Sequence, residues 1–200
     1  MNTADLLPQT FQANVYRFYQ RVILATLNQL RTHETLVVGQ ANNMDEFLDR
    51  CAAQVDNYTA NEAAKAFVLI LDGMFERQLS RFAGARGVKV KGRNGLVKEC
   101  ALIASIDLSD AGITSELREL HLFANTVRHG EGSSCTELKA IAPKLWDNSS
   151  QDYYDLVPGP VSASDELRIQ SDDLRRYVRA VVRFWGHVDP LPTAVPNPSY

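Results

Sequence analysis

Between Glu116 and Ser134 the chain reads Glu-Leu-Arg-Glu-Leu-His-Leu-Phe-Ala-Asn-Thr-Val-Arg-His-Gly-Glu-Gly-Ser-Ser, and most of its chemistry-bearing residues share one side of a helix. At about 100° per residue, Arg118, Asn125 and His129 line up, with His121 and Arg128 beside them. Leu117, Leu120, Ala124 and Val127 take the opposite face, with Ile113 a turn earlier. Gly130 supplies the conformational freedom of a helix C-cap. An imidazole titrates near neutral pH and can take a proton from a hydroxyl. A guanidinium offers a rigid fork of donors to a phosphate. Together these groups suit recognition of a phosphate, or proton transfer at a hydroxyl.

The segment Asn125-Thr126-Val127-Arg128-His129-Gly130, at the end of a late helix, resembles the HEPN superfamily (higher eukaryotes and prokaryotes nucleotide-binding), whose common signature is Arg-Asn-x-x-x-His. Asn125 and His129 match, and Ala124 stands at the arginine position. The resemblance implies an antiparallel all-α helical bundle and a homodimer. In active members, metal-independent endoribonucleases, the Arg and His residues of two protomers meet in a shared cleft. Members lacking the signature act as dimerisation or ligand-binding modules, and the family is associated with toxin–antitoxin and antiviral defence systems. With Ala124 in place of arginine, the resemblance implies action mainly by binding or dimerisation, with RNA, a nucleotide or a defence-system protein as partner. One alternative is an active endoribonuclease that uses His129 and Asn125 with Arg128 or Arg118 as the cation. A second alternative is a sensor of a small ligand or nucleotide. The plain reading of His129 is a helix C-terminal residue that satisfies terminal carbonyls and suits the dipole.

A second cationic feature is Arg-Gly-Val-Lys-Val-Lys-Gly-Arg, residues 86–93. Arg86, Lys89, Lys91 and Arg93 could contact a phosphate backbone, which would make binding salt-dependent; a solvated loop is the bland reading. The P-loop pattern is absent. His121 and Asn125, one turn apart, have no companion set for a metal. No metal or other cofactor is expected.

These groups need a scaffold, and the periodicity predicts helices throughout. Phe11, Val15, Phe18, Tyr19, Val22, Ile23 and Leu30 predict a first helix over 10–32. Asn43 is the expected cap of a second, with Asp45 and Glu46 in its first turn and Phe47, Leu48, Cys51 and Val55 as its inner stripe. Asn61 is the expected cap of a third, the central core helix, running through Phe67, Leu71 and Phe75 to Gly84 and Gly87. A short β-like segment is expected at 88–90, then a helix over 95–105. The helix carrying His129 should start at Thr114 or Ser115. A short one follows, capped by Ser133 or Ser134 and stopped near Pro143. Residues 146–164 read as a long loop before the last helix, and 167–169 as a brief extended element. Ser171 should cap that last helix, whose inner face is Leu174, Tyr177, Val178, Val181, Val182 and Trp185; its arginines should pair with acids elsewhere. Residues 1–190 form one domain and 191–200 a proline-rich peripheral tail.

The 200 residues, 45% hydrophobic and 22% charged with a net charge of −3, fit a globular domain rather than a general nucleic-acid coat. The start lacks a signal-peptide pattern. The longest apolar run, 66–71, is too short to cross a bilayer, so no membrane partner is expected. Cys51, Cys100 and Cys135 have neither disulfide nor zinc spacing. The expected location is cytoplasmic.

Overall fold

The computed structural model describes residues 3–37, 40–109, 111–147 and 161–198, and these form an all-α helical bundle. A 3-10 turn (Thr3–Leu6) leads into α1 (Leu7–Phe18), which continues through a π-helical segment (Tyr19–Ile23) into α2 (Leu24–Leu27). The others are α3 (Met44–Ala85), α4 (Arg93–Ile103), α5 (Ala111–His129), α6 (Ser133–Ile141) and α7 (Ser171–Val188), with a 3-10 turn (Pro143–Trp146) after α6. No strand forms among the described residues, so 88–90 is a plain connection.

The long α3 departs most from the sequence reading. Asn43 caps it as expected, its side chain accepting from the Glu46 N–H at 2.8 Å. Asn61 starts nothing, because α3 runs unbroken through it. Its amide is committed elsewhere: Nδ2 donates to the Leu167 carbonyl (2.9 Å) and Oδ1 accepts from the Ile169 N–H (3.1 Å). A capping-type side chain here holds a segment distant in the sequence, and the helix keeps its own ladder. One turn back, Asn57 grips the backbone of His33 in the same way, donating to its carbonyl and accepting from its N–H, both at 2.8 Å. α3 ends where Gly87 takes φ +75° and the Val88 N–H returns to the Ala83 carbonyl.

Phe47, Leu48, Cys51 and Val55 do share one side of α3, but that side faces outward: Phe47, Leu48 and Val55 are exposed and Cys51 is half-buried. The second half of α3 is the core element, with Val68, Leu71, Phe75, Leu79 and Phe82 buried.

Trp185 of α7 sits at the middle of that core. Phe11, Phe75, Phe82 and Phe184 meet its ring edge-on, with centroids 4.9–6.0 Å away. Its N–H donates to Gln78 Oε1 at 2.7 Å, so the one polar atom of the ring is satisfied. The N-cap of α7 is Gln170, in a reciprocal capping box with Asp173, rather than Ser171. The segment 193–197 is laced down: Gln9 donates to Thr193, Gln12 to the Val195 carbonyl and Arg183 to Asn197. The long loop expected over 146–164 falls largely on 148–160, outside the described residues.

Candidate functional site

α5 packs against α3, α6 and α7, so its apolar surface is much wider than one stripe. Leu117, Leu120, Leu122, Phe123 and Ala124 are all buried, as are Glu119 and Thr126. Glu119 receives both Arg176 and the Tyr177 hydroxyl, at 2.8 Å for the latter, which pairs one of the α7 arginines with an acid as expected. Burial, reinforced by the charge of Glu119, pushes the Tyr177 phenol well above its ordinary range, so it stays a donor. The remaining strip of α5 faces outward and carries Arg118, His121, Asn125, Arg128 and His129.

Two of those five, His121 and Arg128, converge on a residue that the sequence alone does not single out. Asp72, in the buried half of α3, is fully buried. Its carboxylate lies 3.1 Å from Arg93 Nε, 3.4 Å from His121 Nδ1 and 3.3 Å from an Arg128 terminal nitrogen. Asn125 Nδ2 sits 3.2 Å from His121 Nε2. With the imidazole proton on Nδ1, His121 donates inward to Asp72 and accepts from Asn125, an arrangement that fixes ring and tautomer together. Burial alone would push the Asp72 carboxyl up; the hydrogen bond from His121 and the charges of Arg93 and Arg128 outweigh it and hold it below the usual carboxylate range.

Arg93 is the first residue of α4, yet it is buried. It donates to the Leu117 carbonyl of α5 at 2.9 Å and lies over the Phe75 ring. One side chain therefore ties α3, α4 and α5 together. Desolvation lowers its pKa against the pull of Asp72 and Glu76. Above it, Gly73 leaves room for two more guanidinium groups: an added Cβ would stand 3.3 Å from Arg77 and 4.0 Å from Arg128. Arg77 is exposed. With Arg128 anchored on Asp72 and Arg77 exposed on the other side of Gly73, the two present a cationic rim outward.

The expected site residues thus separate. Asn125 and Arg128 join the Asp72 cluster. His129 ends α5 exposed, and among the described residues its side chain makes no hydrogen bond. Arg118 turns to α6, where Glu137 takes its Nε at 2.8 Å. In the basic stretch, Lys89 and Lys91 are exposed, Arg86 pairs with Asp5 at 2.8 Å and lies over Phe82, and Arg93 points inward. His121, set aside in the sequence for want of an acidic partner, has one in Asp72, forty-nine residues away. Asp72 and Arg77 carried no sequence signal. Among the described residues no group of three or more His, Cys, Asp or Glu side chains could hold a metal, and no helix is long and apolar enough to cross a membrane.

Comparison with known proteins adds no identity: no family model, no curated protein and no solved structure matches the chain.

Proposed function

We propose that this chain is a degenerate HEPN-like module that binds RNA or a nucleotide through phosphate contacts at the Asp72-anchored rim and does not cleave it. The observation that carries the reading is the split around Ala124. That position is fully buried against the core, while His121, Asn125 and Arg128 stand on the outward strip with Arg77 beside them. A guanidinium in the place of Ala124 would point into the core, which supports a binding role over the Arg–His pairing of active members. Arg77 offers an exposed guanidinium to an anion, Arg128 adds its charge beside it while bonded to Asp72 and the Leu69 carbonyl, and Lys89 and Lys91 lie on the connection that leads into Arg93. Each is suited to a phosphate backbone.

The alternative reading, an active ribonuclease, keeps one observation in its favour: His129 is exposed and its imidazole is not engaged by a described residue. The experiment that separates the two is incubation of labelled RNA with the purified protein in EDTA, beside His129→Ala and Arg77→Ala/Arg128→Ala. The binding reading expects a salt-sensitive complex that weakens at least tenfold in the double variant, with no cleavage. Cleavage that disappears in His129→Ala would sink it, and so would the absence of any complex with RNA or nucleotide at low salt.

A further inference from the structure

Three helices end around one cavity. α3 stops at Ala85, α4 at Ile103 and α7 at Val188. Residues from the last turn or the cap of each line a cavity of about 310 Å³: Phe82 and Arg86, Ile103 and Ala104, His187 and Asp189. The chain beyond α7 closes it at Pro190 and Leu191. A helix C-terminus carries about half a negative charge on its terminal carbonyls. Three such ends around one space favour a cation there.

Two side-chain atoms of this lining are buried and have no hydrogen-bond partner among the described residues, Nε2 of His187 and Oδ2 of Asp189. Asp189 is 8% exposed, and its other oxygen accepts from the Leu191 N–H at 3.0 Å. A buried carboxylate oxygen without a donor is costly, so one that faces a cavity marks a place for a donor. Arg86 does not fill that place. Its guanidinium pairs with Asp5 at 2.8 Å and lies over the Phe82 ring. With the imidazole uncharged, the lining holds two carboxylates, Asp5 and Asp189, against one guanidinium, so its charge is negative. A neutral imidazole with its proton on Nδ1 offers Nε2 as an acceptor. Both atoms then call for an N–H donor, and Asp189 for a charged one. The remaining walls are apolar, with Phe82, Ile103, Val188 and Leu191 among them. Such walls suit hydrocarbon, and no group of three or more His, Cys, Asp or Glu side chains among the described residues could hold a metal.

We infer that this cavity binds the primary ammonium end of a small alkylamine. The –NH3+ donates to Asp189 Oδ2 and His187 Nε2, and its alkyl chain lies against Phe82, Ile103 and Leu191. An ammonium has three donors and no acceptor, which matches a site whose waiting groups are all acceptors. Phe82 lies ten residues beyond Asp72 on α3, roughly 15 Å along the helix. The amine site is therefore separate from the Asp72 rim and stands whether or not the rim binds RNA.

The test uses the full chain and n-butylammonium chloride. Titration calorimetry should show saturable binding with a dissociation constant of about 1 mM or tighter. n-Butanol, close in shape but without charge, should not bind. Asp189→Asn should weaken butylammonium by about tenfold or more. Asparagine keeps an oxygen for the Leu191 N–H, so the turn should survive, and circular dichroism checks that it does. In the wild-type protein, butylammonium should move the backbone amide resonances of Ala104 and Leu191 and leave that of His121 in place. No saturable binding means that water alone serves the two atoms, and overturns the inference. Equal binding of butanol overturns it too, because the cavity is then merely apolar. So does butylammonium binding that leaves Ala104 and Leu191 unmoved, or that persists undiminished in Asp189→Asn. If that variant misfolds, the butanol comparison and the amide shifts of the wild-type protein decide.

Discussion

Replacing Asp72 by asparagine tests the buried cluster most directly. The change keeps the shape of the side chain and deletes one charge at the point where Arg93, His121 and Arg128 meet. Arg93 bears the largest consequence, since its side chain is only 5% exposed and no water replaces the lost carboxylate. Two unit charges about 4 Å apart attract by roughly 4 kcal/mol at the effective dielectric of protein sites. Arg128 and His121 are partly solvated and contribute less. Removing one partner of a buried pair generally costs about 3–5 kcal/mol, and that is the loss expected for Asp72→Asn in urea unfolding. In a chain of this size it corresponds to a fall in Tm of roughly 6–20 °C. The pH dependence adds a check of sign. The folded Asp72 pKa lies below the unfolded value, so its stabilisation is fully present above the ordinary aspartate pKa of about 3.9 and is lost as pH falls through the folded value. Wild-type stability should therefore drop on acidification below about pH 4, and the part due to Asp72 should be missing from the variant. Adding Arg93→Met should return part of the loss, because the uncompensated buried cation is then gone. A loss below about 1 kcal/mol for Asp72→Asn, or no recovery with Arg93→Met, would refute the claim that the cluster is held by a buried charge pair.

Other substitutions probe separate parts of the argument. Ala124→Arg rebuilds the HEPN signature in the sequence but places a cation in the packed interior; it should cost at least about 3 kcal/mol and yield no RNA cleavage in EDTA. A stable variant with new cleavage would mean that position 124 reaches the outer strip after all. Asn61→Ala strips two buried hydrogen bonds from 167–169, leaving a carbonyl and an N–H without that partner. At about 1–3 kcal/mol for each unsatisfied group, a loss of roughly 2–6 kcal/mol is expected, with faster amide exchange at Ile169. Unchanged exchange at Ile169 would show that Asn61 is not what holds the segment.

The sequence by itself determined the helical class and most of the inner faces. Periodicity placed Val15, Phe75, Leu120 and Trp185 on apolar stripes, and all four are buried, because a helix can hide such a stripe only by packing it. It also marked the outward strip of α5. It could not determine where polar side chains would spend their hydrogen bonds. Asn61 reads as a cap because asparagine often caps, and only the approach of 167–169 gave its amide a better use. Nor could the pattern tell an inner stripe from an outer one: Phe47, Leu48 and Val55 have the spacing of a core face, yet α3 extends past the helices that would have covered them. The same holds for charge. Arg93 looked like one more cation of a solvated loop, and nothing in the pattern singled out Asp72. Twenty-one residues of chain separate the two, and their pairing exists only because α4 folds back on α3 and presses Arg93 out of water onto a carboxylate already buried there.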